Sequence, residues 1–184
     1  FLCQLIQPFA IHVSRNHPRA FFQPNSRGAE LLYGVVRELA FRESNPETAL
    51  DLYCGTGTIA MILAARSARV VGVDLNEDAI ANAQSNARLN ELSNLEFHAG
   101  DVGEVLIREG LSETGSADLV VVDPPRSGLF PAAREALKQL AAPRMVYVSC
   151  NPKTLAVDLA DLLGSGWQLE TVRPVDMFPQ TMHL

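Results

Sequence analysis

Three groups of residues in this chain have the types and spacing to do chemistry. Cys150 lies in Tyr147-Val148-Ser149-Cys150-Asn151-Pro152, after an apolar β-like stretch and ahead of a helix-like one. A strand-to-helix junction puts a thiol at the carboxyl edge of a sheet, where open α/β folds bind ligands. The positive end of the following helix favours thiolate over thiol. Upstream, Asp123-Pro124-Pro125-Arg126 closes another apolar stretch, and earlier still Asp51-Leu52-Tyr53-Cys54-Gly55-Thr56-Gly57 makes a glycine turn. A nucleotide-like cofactor loop, a rigid proline turn and a poised thiol together point to group transfer with a covalent step.

Positioning such groups requires alternating strands and helices, and the hydrophobic pattern supplies them. From Gly28 to Arg42, the apolar Leu31, Leu32, Val35, Val36 and Leu39 recur at three- and four-residue spacing, which predicts an amphipathic helix. After Asn45-Pro46 the pattern predicts strands at 48–53, 69–73, 95–98, 118–122, 144–149 and 168–175. Helices are predicted at 58–66, 77–90, 102–109, 131–141 and 153–163, with Asn76 and Ser127 as turn or cap residues and Pro131 in a first helical turn. The 118–122 strand is continuously apolar, as a strand covered by helices on both faces should be. The expected fold is α/β, a doubly wound, mostly parallel sheet. Residues 1–22 fit it less well. Ile11-His12-Val13 and Ala20-Phe21-Phe22 read as short strands around a polar turn, the remnant of a preceding domain or linker, with the main domain over 23–184.

Composition narrows the classes. A chain of 184 residues, 47% hydrophobic, can bury one substantial core. No apolar run reaches membrane-spanning length, and three cysteines without metal-ligand spacing suit a reduced, cytoplasmic setting with no metal. The net charge of −6 argues against a stand-alone nucleic-acid binder. Residues 1–42, however, hold five Arg against two Glu, a balance of +3 that leaves −9 for the remainder. If RNA is touched, the amino-terminal face is the better candidate, although a solvated helix face explains the same charges.

Each motif has a plain reading beside the functional one. The Gly55-Thr56-Gly57 turn lacks the full dinucleotide fingerprint and the Gly-Lys-Ser/Thr of a triphosphate cradle, and its glycines could merely relieve crowding. Its context says more. The next strand ends in Val73-Asp74, placing a carboxylate where the hydroxyls of a ribose would lie, and Asp101 and Asp123 follow the two strands after it. A nucleoside cofactor without phosphates, S-adenosylmethionine, suits this set best. Arg126 suits a phosphate or a base carbonyl, although two prolines alone would explain a stiff turn. Cys54 reads as a buried thiol or a liner of the cofactor loop, and Cys3 has no supporting context.

Taken together, the chain from about residue 11 to 184 resembles the S-adenosylmethionine-dependent RNA 5-methyluridine methyltransferases, which modify tRNA and ribosomal RNA. The resemblance rests on Phe22-Gln23-Pro24-Asn25, on 51–57, on Asp123-Pro124-Pro125-Arg126-Ser127-Gly128, on Ser149-Cys150-Asn151-Pro152-Lys153-Thr154 and on Asp176-Met177-Phe178-Pro179-Gln180-Thr181-Met182-His183. It implies a Rossmann-like class I methyltransferase fold. It also implies a cofactor site of Gln23, Tyr53, Thr58, Asp74, Asp101 and Asp123, with Cys150 as the nucleophile. RNA would be the substrate, with Arg126 touching it, and the full-length protein would be a monomer. Where this chain has Asp74, the family often has Glu.

Two departures accompany the resemblance. The family's general base, a Glu, would fall just beyond Leu184. The family's final strand, which inserts between the last two strands expected here, would also lie past that point. Two other readings remain open: an RNA cytosine-C5 methyltransferase, with Asp123 protonating the base, and a cofactor-binding RNA module without turnover.

Overall fold

The computed structural model describes residues 4–6, 11–13, 26–112, 115–140 and 142–176. An antiparallel pair, β1 (Gln4–Ile6) and β2 (Ile11–Val13), comes first, with Leu5 opposite His12. The strand expected at 11–13 is present, and its partner is a segment the hydrophobic pattern did not single out. Ala20-Phe21-Phe22, Gln23 and the motif from Met177 to His183 lie outside the described residues.

The main body is an α/β/α sandwich. The amphipathic helix α1 (Ser26–Ala40) leads into β3 (Thr48–Leu52), α2 (Thr58–Ala64), β4 (Arg69–Asp74), α3 (Glu77–Leu89), β5 (Leu95–Ala99) and α4 (Val102–Arg108). Then follow β6 (Leu119–Val122), α5 (Pro131–Gln139), β7 (Arg144–Tyr147) and α6 (Pro152–Leu163). All strand pairs of the five-stranded sheet are parallel, in the order β5-β4-β3-β6-β7. The doubly wound, parallel sheet read from the sequence is the one observed.

Side-chain alternation along the strands divides the core. Leu50, Leu52, Val71, Val73, Val120 and Val122 face α4, α5 and Leu162 of α6. Ala49, Val70, Leu119, Val121 and Val146 face Val36 and Ala40 of α1 and Ile59, Ala60 and Leu63 of α2. The larger of these side chains each gain about 1.5–3 kcal/mol on burial, and both faces of the sheet need covering. β6 is apolar throughout, while β3 carries Thr48 and the buried Asp51 and β4 begins at Arg69 and ends at Asp74. Local chemistry sets the helix starts. The Asn76 side chain accepts from the Asp78 and Ala79 N–H groups and caps α3, and Pro131 occupies the first turn of α5. Ser127 lies in the turn closed by the Gly128 N–H on the Pro125 carbonyl, and the cap position of α5 is Phe130.

One expectation is corrected. Residues 168–175 form no strand. They run over the surface with no ladder, and β7 pairs with β6 alone among the described strands. An extended segment becomes a strand only where a neighbour satisfies its backbone; here the Arg173 guanidinium donates twice to the Glu38 carboxylate instead.

The chain moves from β3 outward to β4 and β5, then crosses back to β6 and β7. The strand order therefore reverses between β3 and β6, and ligands of open α/β sheets bind outside the carboxyl ends of the strands at such a point.

Candidate active site

A continuous cavity of about 1660 Å³ takes in the carboxyl edge of the sheet at that reversal and runs on along the side of β7, past Arg144 and Leu39. Tyr53, Thr58, Asp74, Asp101, Asp123, Arg126 and Cys150 all line it. These seven lie between positions 53 and 150 of the sequence, and the fold brings them to one edge of the sheet. Gln23 lies outside the described residues.

The glycine turn is built by its neighbours. Tyr53 adopts a left-handed backbone at φ 65°, unusual for a residue with a Cβ and a form of strain that clusters at functional sites. Gly57 precedes α2 at φ 82°, where a Cβ would meet Ala83 and the Phe97 ring at 3.0 Å. Asp74 braces the turn from β4: one carboxylate oxygen accepts the Gly55 N–H at 2.8 Å and the other the Asn76 N–H at 2.9 Å. Above Gly55 the space is open, since a Cβ there would meet nothing within 4 Å.

Electrostatics distinguishes the acids. Asp123 is pushed up to about 6 by burial. Asp51 is fully buried, its carboxyl pushed well above the usual carboxylate range by burial and by the nearby Asp123 and Asp74. One Asp51 oxygen accepts the Ala60 N–H at 2.7 Å, while the other has no partner among the described residues. Asp101 caps α4, accepting the Gly103 N–H at 2.9 Å and the Glu104 N–H at 3.3 Å. The Tyr53 phenol is pushed up to about 12, chiefly by burial.

The thiols divide cleanly. Cys54 is buried, and burial together with Asp51 and Asp74 pushes it well up, so it stays a thiol. Cys150 is exposed at the cleft. Its loop is tied to the proline turn, because the Asn151 side-chain amide donates to the Arg126 carbonyl at 3.0 Å and the Thr154 hydroxyl to the same oxygen at 3.3 Å.

Two cleft residues escaped the sequence reading. Tyr33, on α1, has its phenol pushed up to about 12 by burial and by Asp123 and Asp51; within an amphipathic helix it looked like one more core residue. Leu75, directly after Asp74, is 68% exposed at the cleft. Its signal was a large apolar side chain beside a carboxylate at a strand end.

A family model described as a methyltransferase domain matches residues 43–170, from the loop before β3 to the segment after α6. The chain belongs to the methyltransferase domain family. A protein from Clostridium tetani named as an uncharacterized RNA methyltransferase is 47% identical over 91% of this chain and 36% of its own length. A second from Porphyromonas gingivalis is 42% identical over 90% of this chain and 36% of its own. The chain thus spans just over a third of the curated relatives it matches. Among solved structures, the Pyrococcus abyssi tRNA (uracil-54, C5)-methyltransferase in complex with S-adenosyl-L-homocysteine superposes with a TM-score of 0.77 and 40% identity. That match covers 91% of this chain and 39% of the other. A ribosomal protein L11 methylase from Lactobacillus delbrueckii, 18% identical with a TM-score of 0.62 over 82% of this chain and 74% of its own, shares the fold alone.

The cofactor of this methyltransferase domain is S-adenosylmethionine, and the residues fit it. Asp74 offers a carboxylate for a ribose diol and exposed Leu75 an apolar face for a base. The open space over Gly55 admits a ligand close to the backbone, and the turn carries no lysine for phosphates.

Proposed function

We propose that this domain transfers a methyl group from S-adenosylmethionine to C5 of a uridine in tRNA or ribosomal RNA through a covalent adduct with Cys150. The observation that carries the reading is the exposed Cys150 on the same cleft as Asp74 and Asp123, its loop bonded to the turn that bears Arg126. In this reading Gln23, Tyr53, Thr58, Asp74, Asp101 and Asp123 surround the cofactor and Arg126 meets the RNA. Asp74 takes the ribose hydroxyls, since each carboxylate oxygen retains acceptor capacity after its backbone bond.

Uracil C5 is a weak nucleophile. The Cys150 thiolate bonds to C6 and pushes the ring electrons through the C4 carbonyl, so that C5 becomes an enolate carbon. Bound S-adenosylmethionine supplies an electrophilic methyl group for that carbon. A base then takes the C5 proton, the C5–C6 double bond re-forms, and the Cys150 sulfur leaves as thiolate. Reaching C6 requires the uridine to be unstacked from its RNA and turned into the cleft, and the exposure of Cys150 suits a large substrate approaching from outside.

The relatives support an RNA substrate: those from Clostridium tetani and Porphyromonas gingivalis carry the RNA methyltransferase name, and the Pyrococcus abyssi enzyme acts on a tRNA uracil. One observation favours a second reading, an RNA cytosine-C5 methyltransferase. The Asp123 carboxyl, raised to about 6, could carry the proton that cytosine N3 needs.

The deciding experiment incubates the full-length protein with S-adenosylmethionine and unmodified tRNA and ribosomal RNA, followed by mass spectrometry of the nucleosides. 5-Methyluridine supports the proposal, 5-methylcytidine the second reading, and no methylated nucleoside overturns both. RNA carrying 5-fluorouridine, whose C5 fluorine cannot leave as a proton, should trap an adduct that maps to Cys150.

A further inference from the structure

We propose that Asp158 is a positioning residue, which fixes the loop carrying Asp123 and Arg126 against the segment carrying Cys150 and so sets how the two sides of the cleft meet. The inference rests on the reading of Cys150 given above.

Asp158 stands on α6 and is only 3% exposed. A single oxygen, Oδ2, accepts two donors from different parts of the chain: the Leu129 N–H at 2.9 Å and the Tyr147 O–H at 2.7 Å. Leu129 belongs to the loop that begins with Asp123, and Tyr147 ends the strand that leads to Cys150. The Leu129 carbonyl is held as well, by Nη2 of Arg134 at 3.4 Å, while Nε of Arg134 lies 3.6 Å from Asp158 Oδ1. Gly128 makes the approach possible. Its φ is +83°, and a Cβ there would stand 2.6 Å from Asp158 Oδ2.

A second tie runs parallel to the first, nearer the surface, where Asn151 and Thr154 hold the Arg126 carbonyl. The turn from Arg126 to Leu129 is therefore fastened at both ends to α6 or its cap, and Cys150 lies between two of the fasteners, Tyr147 and Asn151. Stability alone does not call for a carboxylate here. Buried charges are costly to desolvate, and apolar replacements of buried ion pairs are often neutral or stabilising. What apolar packing would not provide is one atom that fixes an amide of one loop and a hydroxyl of the next at hydrogen-bond distance.

The test uses the full-length protein with Asp158→Ala and Asp158→Asn. Asparagine keeps one oxygen that can accept both donors; alanine keeps none. Asp158→Ala is expected to slow adduct formation with 5-fluorouridine RNA by about tenfold to a hundredfold, the scale of a misplaced reacting group. Its Kd for S-adenosylhomocysteine and its KM for RNA should stay within about threefold, and Asp158→Asn should recover most of the rate. In the cofactor-free protein, the Leu129 amide should lose hydrogen-exchange protection in the alanine variant and keep it in the asparagine variant. If Asp158→Ala does not fold, Tyr147→Phe removes the bond on the Cys150 side at constant shape. Its adduct rate should fall while Leu129 protection stays, and a wild-type adduct rate in this variant overturns the inference. A wild-type adduct rate with unchanged Leu129 protection overturns the inference, as does a loss confined to KM. Should the wild-type protein form no adduct at all, the nucleophile assignment fails separately. Leu129 exchange then decides whether Asp158 holds the loop.

Discussion

Asp74 holds Gly55 in place, accepting its N–H at 2.8 Å across the end of the β3–β4 ladder. The carboxylate assigned to the ribose is therefore also the brace of the turn beside it, and is oriented before any ligand arrives. Removing it costs both functions. Asp74→Ala should weaken S-adenosylmethionine binding by at least about tenfold, since hydrogen bonds to a charged group are worth about 1.5–3 kcal/mol each. Asp74→Glu, which keeps the charge on a longer stem, should fall between alanine and wild type. Titration calorimetry checks the order, and unchanged affinity in the alanine variant would place the ribose elsewhere.

Cys150→Ala should abolish methyl transfer while leaving cofactor affinity within a few-fold, because the thiol lines the cleft without belonging to the glycine turn. Cys54→Ala should cost little chemistry, its thiol being buried and held protonated. Single-turnover methylation of RNA separates the two. Methylation retained by the Cys150 variant would sink the nucleophile assignment.

The Asp123 carboxyl has a pH signature. Its ordinary value of 3.8 is raised to about 6 in the folded protein by burial. The folded state thus binds the proton more tightly, a contribution to stability that is full below about pH 4 and lost as the pH rises through about 6. Asp123→Asn has no such titration. Its melting temperature relative to wild type should be level below pH 4, climb between about pH 4 and 6, and stay high above. The gain is at most about 3 kcal/mol, from 1.36 kcal/mol per unit, less what solvent in the open cleft screens. A difference that shrinks with rising pH would show that Asp123 is not buried in this way.

Gly72 and Phe97 face each other across the β4–β5 ladder. A Cβ on Gly72 would stand 2.5 Å from Phe97 Cδ1 and 3.1 Å from the Cys54 sulfur. Gly72→Ala should therefore destabilise the domain by about 1–3 kcal/mol through overpacking. Adding Phe97→Leu, which shortens the ring side of the pair, should return part of that loss. Denaturant unfolding of the single and double variants reads the coupling, and simple additivity would show that the two do not compete for the same space.

Much of this was legible before any coordinates. A strand covered on both faces announces itself, as the unbroken Leu119–Val122 does, and Asn76 and Pro131 mark helix starts through purely local chemistry. The cleft acids were legible from their place at strand ends: Asp74 closes β4, Asp123 directly follows β6, and Asp101 comes two residues after β5. Residues whose meaning comes from distant partners were not. Asp158 reads as an ordinary helix acid, since its donors Leu129 and Tyr147 lie 29 and 11 residues away. Tyr33 reads as core until Asp123 and Asp51 are brought beside it. The stretch 168–175 carries Leu169, Val172 and Val175, but apolar residues alone cannot say whether a neighbouring strand stands beside it.

The strand order also bears on how the domain is made. Pairing β3 with β4 joins Thr48 to Arg69, and pairing β4 with β5 joins Val70 to Leu95, whereas pairing β3 with β6 must bring Ala49 to Leu119. Longer loops cost more entropy to close and delay the contacts that depend on them. The glycine turn and its brace therefore take shape on an early half-sheet, and the proline turn and the thiol join when β6 and β7 dock. Synthesis runs in the same direction, since Asp74 leaves the ribosome before Cys150, so the half-sheet that holds Asp74 is expected to pair first.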